Sequence, residues 1–389
     1  MSPIVHYIKV VLIGVSCCLT LSLPAQGLLE KAADFFEFNL GRPAPDSNHF
    51  VTKVVIAPIA TYEPSTSLGL GLGGKMLFKF RGSGPETRTS NLPLSVTYTL
   101  NNQFIFYSGY TVFFNQEKYL LKGNLIYSDF PFPYHGIGSR TSKEDRLDIA
   151  YQQFLFQPLL LKKLAPNFFV GGGIRYNTNF NTHLEKAKGE LPKGYDLQDS
   201  LGSTSVGIEW AVTVDSRDNV LNATRGSFLE FTHGFYGKAF GGTHQFMLSS
   251  LNFRRYWKLS PNRPDVLALG LYGRFAWEDA PPLELSSLGG EELLRGYQEG
   301  RYRDRIALFT QIEYRWQTFD RIGFVFFGGA GDVGSRLGEF SFQNLKYSLG
   351  TGLRVKIIPS ENLNVRFDYG LGFGAERDAN FYLGIAESF

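Results

Sequence analysis

The sequence predicts an all-β protein, a transmembrane antiparallel β-barrel of about sixteen strands. Apolar and polar residues alternate with period two along most of the chain, and beyond the N-terminal region no run of about 18 apolar residues could cross a membrane as a helix. The connections also alternate between short and long, as barrels with tight turns on one side and loops on the other require.

Period two is clearest near the C-terminus. Tyr347, Leu349, Thr351 and Leu353 are separated by Ser348, Gly350, Gly352 and Arg354, and Val365, Phe367, Tyr369 and Leu371 by Arg366, Asp368 and Gly370. One face is greasy and the other charged or tiny, which suits lipid outside and a polar lumen inside. Segments of this kind fall at 53–62, 67–81, 90–101, 103–115, 116–129, 144–157, 166–180, 202–217, 226–237, 242–259, 264–279, 303–319, 321–332, 344–358, 362–374 and 379–389. They reach or exceed the ~9 to 11 residues that cross a bilayer at a tilt. With a periplasmic N-terminus, the longest connections, 130–143, 181–201, 280–302 and 333–343, all lie outside. The even-numbered connections are short, apart from a Gly/Pro/Ser cluster after the second segment.

Residues 1–25 read as a signal peptide. Lys9 precedes an apolar run from Val10 to Leu23, and cleavage is expected after Ala25. Cys17 and Cys18 lie inside it, so a mature chain would carry no disulfide and no cysteine metal site. Residues 26–50 form a short periplasmic leader, with Leu28, Leu29, Ala32, Phe35 and Phe36 on one helical face; the barrel is assigned to 51–389.

Composition narrows the function. Gly 43, Phe 35 and Tyr 20 against 19% charged residues favour aromatic β-structure with many turns. A net charge of +3 without a basic run gives no case for nucleic acid. No Gly-x-Ser-x-Gly and no His-Glu-x-x-His occurs, and His135, His183, His233 and His244 are scattered. No enzyme, catalytic residue, metal site or cofactor is expected.

Against this background the stretch SSLGGEELLRGYQEGRYRDR, 286–305, is too polar to cross lipid and too patterned to be filler. Its Leu294, Arg295, Gly296 and Tyr297 resemble the (Val/Leu)-Arg-Gly-(Phe/Tyr) signature in the sixth outer loop of the BamA/TamA family, also called bacterial surface antigen barrels. Other pieces agree in order. VDSRDNVLNATRGSFLEF, with Asp215, Arg217, Asp218, Asn219 and Gly226, resembles the family's periplasmic turn element; GGAGDVG resembles its Gly-x-x-Asp-x-Gly element; and the chain ends in Phe389, the C-terminal strand signal.

The resemblance implies that the loop folds back into the lumen and that Arg295 pairs with acids on the wall, by motif match Glu313 and Asp332. Phase supports Glu313, which faces inward with Gln311 and Arg315. Asp332 shares the phase of Phe324 and Phe326, so it needs a bulge at Gly328 and Gly329. Arginine suits the task because its planar fork can hold two carboxylates in one register. Arg301, on the return limb, is expected to matter little.

The family's periplasmic POTRA domains need on the order of 75 residues each, whereas about 25 precede the first segment here. Substrate delivery and docking are therefore not carried over. The implied role is outer-membrane biogenesis, inserting or translocating polypeptide or a surface component in the outer membrane of a Gram-negative bacterium. The implied partners are outer-membrane lipid, assembly machinery and unfolded polypeptide. A seam between the first and last strands would be weak, given Pro58 and Gly384. The alternative is a passive pore or surface receptor, with Arg354, Lys356, Arg366 and Asp368 lining the lumen.

Overall fold

The computed structural model describes residues 37–40, 52–63, 67–84, 86–100, 102–187, 202–358, 362–374 and 377–389. The expected signal peptide, and the helical face drawn from Leu28 to Phe36, lie outside them.

Sixteen long strands form an antiparallel meander: β1 (Thr52–Glu63), β2 (Ser67–Phe78), β3 (Ser90–Thr99), β4 (Phe104–Phe114), β5 (Tyr119–Tyr134), β6 (Leu147–Ala165), β7 (Phe168–Ala187), β8 (Ser203–Asp215), β9 (Gly226–Tyr236), β10 (Phe246–Lys258), β11 (Val266–Glu278), β12 (Ile306–Gln317), β13 (Ile322–Gly334), β14 (Lys346–Ile358), β15 (Leu363–Phe373) and β16 (Arg377–Ile385). Each pairs with the next in sequence, the arrangement that short hairpin connections favour. Among the described residues, no helix is long and apolar enough to cross a membrane.

The alternation read from the sequence is the alternation of the two faces. In the β14–β15 ladder, Leu349 opposes Leu371 and Leu353 opposes Phe367 on the outside, while Gly350 opposes Gly370 and Arg354 opposes Arg366 on the inside. Leu349 is 59% exposed and Arg354 is 3% exposed, the reverse of a water-soluble protein. Strands β6 and β7, of 19 and 20 residues, run well past the length needed to span, and β5 and β7 take in 130–134 and 181–187 of the expected long loops.

The β12–β13 register runs unbroken from Ile306↔Gly334 to Gln317↔Gly323, and β13–β14 from Ile322↔Val355 to Gly331↔Lys346. No bulge occurs at Gly328 and Gly329. Strand β16 is next to β1 in the sheet order, but among the described residues no ladder of pairs joins them and the sheet is not closed there. Instead the short strand Glu37–Leu40 pairs with the start of β1, Glu37 opposite Val55 and Leu40 opposite Thr52. Pro58, opposite Leu72 within β1, has no N–H to donate.

Candidate functional site

The connection between β11 and β12, residues 279–305, folds into the lumen. A single 3-10 turn, Pro282–Glu284, starts the descent, and a two-strand hairpin, Ser286–Leu288 with Tyr302–Asp304, holds the two limbs together. At the tip Leu294 has φ 80 and Gly296 φ 114, so the chain turns sharply where the motif lies. A leucine tolerates that φ because its side chain is fully buried with Leu288, Tyr297, Tyr302, Ala307 and Val333.

Each residue of the motif then has its own partner. Arg295 is fully buried; its Nη1 donates to Asp368 Oδ2 at 2.6 Å, its Nη2 donates to Glu313 Oε2, and its guanidinium lies 3.6 Å from the centre of the Phe327 ring. The Gly296 N–H donates to the Tyr382 hydroxyl at 2.9 Å, and its carbonyl accepts from Asn380 Nδ2 at 2.9 Å. A Cβ there would sit 2.7 Å from the Leu371 carbonyl carbon, so only glycine fits. Tyr297 lies against Gly372 and donates to the Tyr347 carbonyl at 3.0 Å, while its own carbonyl accepts from Tyr382 at 3.1 Å. The small inward residues of β14 and β15 are thus the seat of the loop.

A charge network extends from this seat. Glu313 Oε1 accepts from Arg315 Nε at 2.7 Å, Asp368 also accepts from Arg354 at 2.5 Å and Arg366 at 3.1 Å, and Arg366 reaches Glu291 at 2.7 Å. These side chains are almost wholly buried except Glu291. A network of this kind fixes geometry more than it adds stability, because desolvation offsets most of the attraction.

The turn element closes the other end. Asp215 takes the Arg217 guanidinium on both oxygens at 2.9 Å, Asp218 accepts the Thr224 N–H at 2.9 Å, and Asn219 accepts the N–H groups of Leu221 and Asn222 at 2.7 and 3.0 Å. Gly226, φ 98, lets the chain re-enter β9. The connection 216–225 runs beneath the lumen. Val220 packs on the cluster of Phe113, Leu161 and Phe169, whereas Leu221 packs on Val55, Leu77 and Leu363. Arg315 Nη1 donates to Asn222 Oδ1 and to the Ala223 carbonyl, both at 3.2 Å. Loop and turn therefore share one wall.

Residues 70–389 match the model of the Omp85 superfamily domain. The chain belongs to the Omp85 superfamily. No curated protein matches the sequence. Among solved structures, this Omp85 barrel is similar in fold to BamA from Haemophilus ducreyi lacking POTRA domains 1–3, with TM-score 0.54 and 14% identity over 91% of this chain and 76% of that one. It is also similar to CdiB from Acinetobacter baumannii, with TM-score 0.54 and 15% identity over 86% of this chain and 59% of that one.

The Omp85 barrel departs from three expectations. Asp332 does not meet Arg295; it accepts from Lys346 Nζ and from Ser139 Oγ, each at 2.6 Å. Glu313 opposes Phe327, and Asp332 lies five residues further along the same strand, roughly 17 Å at ~3.4 Å per residue, so one guanidinium cannot serve both. Asp332 is also one residue past the last β13–β14 pair, where its carboxylate can turn to Lys346 without a bulge. Arg301 is 2% exposed and clamps Thr141 of the connection between β5 and β6, through Oγ1 at 3.0 Å and the carbonyl at 2.8 Å. Phe389 is not part of β16, which ends at Ile385; Ala386 takes φ 79 and turns residues 386–389 inward.

Two functional groups escaped the sequence. Asp368 was legible as a lumen residue, but nothing local tied it to Arg295. Glu284, buried on the descending limb, takes Arg175 on both oxygens at 2.9 and 3.0 Å and Asn177 at 2.7 Å, a second ionic anchor for the loop. Burial pushes its carboxyl up, but Arg175 and Arg274 outweigh burial and hold it below the ordinary glutamate value.

Proposed function

We propose that this protein acts in biogenesis of the outer membrane of a Gram-negative bacterium, inserting or translocating polypeptide or a surface component by opening its seam and displacing the lumen loop. The observation that carries this reading is the pairing of a fully buried loop anchor at Arg295 with an unladdered β16–β1 seam. A passive pore needs a clear lumen. Here a loop folds into the lumen and a turn runs beneath it from the other end, while among the described residues the edge of β1 toward β16 carries only the pairs made by Glu37–Leu40. Membership of the Omp85 superfamily supports the same reading.

In this role residues 1–25 serve as a signal peptide, removed after Ala25, and the short-turn end of the barrel faces the periplasm. The partners are outer-membrane lipid, the assembly machinery and unfolded polypeptide. Depletion followed by quantitative proteomics of isolated outer membranes tests the reading. A selective fall in a subset of outer-membrane proteins or surface components is expected; an unchanged outer membrane overturns it.

A further inference from the structure

Along β10 the outward residues are Met247, Ser249, Leu251, Phe253, Arg255 and Trp257, in phase with Leu251 at 41% and Trp257 at 39% exposure. Arg255 therefore stands on the greasy face, opposite Leu269 of β11 and Ser227 of β9. Its neighbour Arg254 points the other way and is satisfied there, donating to Asn252 Oδ1 at 3.0 Å with its guanidinium over the Phe228 ring. Arg255 has no such provision. Among the described residues its guanidinium meets the Trp257 ring, 5.8 Å from the centre, and no carboxylate. A charge kept on a lipid-facing surface without a protein partner is costly, and it marks a site.

Depth decides what this guanidinium can reach. Trp277 of β11 opposes Met247, and Trp257 lies ten residues further along β10. At ~3.4 Å per residue and a tilt of about 40°, that spacing separates the two indoles by roughly 26 Å across the membrane, the height of the apolar band. The indoles thus mark its two borders. Arg255 is one pleat inside the border at the short-turn end, ~5 Å deeper, so its guanidinium comes back to headgroup level beside Trp257.

The groups around it suit a phosphate. The Ser227 hydroxyl, on the same face, lies 3.1 Å from that of Ser216. A phosphodiester offers two oxygens to the guanidinium fork and further acceptor positions to a hydroxyl. The surroundings are basic, with Arg225, Lys258 and Arg263 exposed at this end. The acids of the two turns that carry them are already engaged, Asp218 by the Thr224 N–H at 2.9 Å and Asp265 by the Gln317 N–H at 3.1 Å. A headgroup with net negative charge is therefore favoured over one that carries its own ammonium.

We propose that Arg255, Trp257, Ser227 and Ser216 form a binding site for the phosphate of an anionic glycerophospholipid at the short-turn border of the membrane. Placing that border in the inner leaflet rests on the orientation proposed above; the site itself does not.

The test uses the full chain refolded in detergent, phosphatidylglycerol and phosphatidylethanolamine of the same acyl chains in equal amounts, and native mass spectrometry to measure the lipid retained. The wild type is expected to retain phosphatidylglycerol about ten-fold over phosphatidylethanolamine. Arg255→Leu, which suits the greasy face, should lose that preference, and Arg255→Lys should keep part of it, having charge without the fork. Trp257→Leu leaves every charge in place, yet should weaken retention about three-fold, which general attraction to a basic rim would not produce. Equal retention of the two lipids by the wild type, or an unchanged preference in Arg255→Leu, overturns the proposal. The wild-type comparison stands whether or not a variant folds. Lipid retention is read in vitro and outer-membrane content in cells, so either can fail without the other.

Discussion

Replacing Arg295 with alanine leaves Glu313 still paired with Arg315, and Asp368 still paired with Arg354 and Arg366. The ~3 to 5 kcal/mol typical of stranding a buried charge is therefore an upper bound, and the larger consequence is loss of the fork and ring contact that hold the loop tip. Arg295→Ala should expose the loop to limited proteolysis and raise single-channel conductance in planar bilayers. Lysine at this position should restore only part of both, having charge without the planar fork. Arg301→Ala is no longer a silent control; freeing Thr141 should add protease sensitivity in 135–146 with little change in conductance.

Acid should act through Glu284. Its carboxyl is depressed in the folded state, so the stability it contributes is fully present above the ordinary glutamate value of about 4.3 and is lost as pH falls through the folded value. Loop proteolysis by an acid-active protease should rise below about pH 4, and Glu284→Gln should flatten that response. Glu313 was legible because strand phase is local. The Glu284–Arg175 pair spans 109 residues, and no short-range pattern joins the two.

At the scale of elements, strand phase survived almost everywhere because it depends only on which neighbours are greasy. The boundaries moved where side chains outside the strand decided them. Strand β16 was expected to run to Phe389, yet it stops at Ile385, where the pull of Arg354, Asn364 and Arg315 on the following residues outweighs further ladder bonds. Glu37–Leu40, read from sequence as leader, is a strand because the open edge of β1 offers unpaired backbone groups. Cysteine pairs scanned along β1 and β16 should crosslink readily, the chain having no other cysteine beyond residue 18. A crosslinked seam should fail to complement a deletion strain, and full complementation would show that lateral opening is not the mechanism.

For the whole molecule, Glu313 is the shared element between the two ends: one oxygen binds the loop through Arg295, and the other binds Arg315, which holds the turn 216–225 and the Phe389 carbonyl. Arg315→Ala should therefore loosen both ends, seen as raised conductance together with faster hydrogen exchange in 216–225. With Arg295→Ala it should combine less than additively, because both act through one carboxylate. The glycine-lined seat on β14 and β15 has a further bearing, on the order of folding. Arg295 is 73 residues from Asp368, and Gly296 is 86 from Tyr382, so the loop's landing site does not exist until the last strands are in place. A growing barrel must hold its lumen loop undocked while the rest assembles, and docking then marks completion. In pulse proteolysis during refolding, the loop should be among the last segments to become protected.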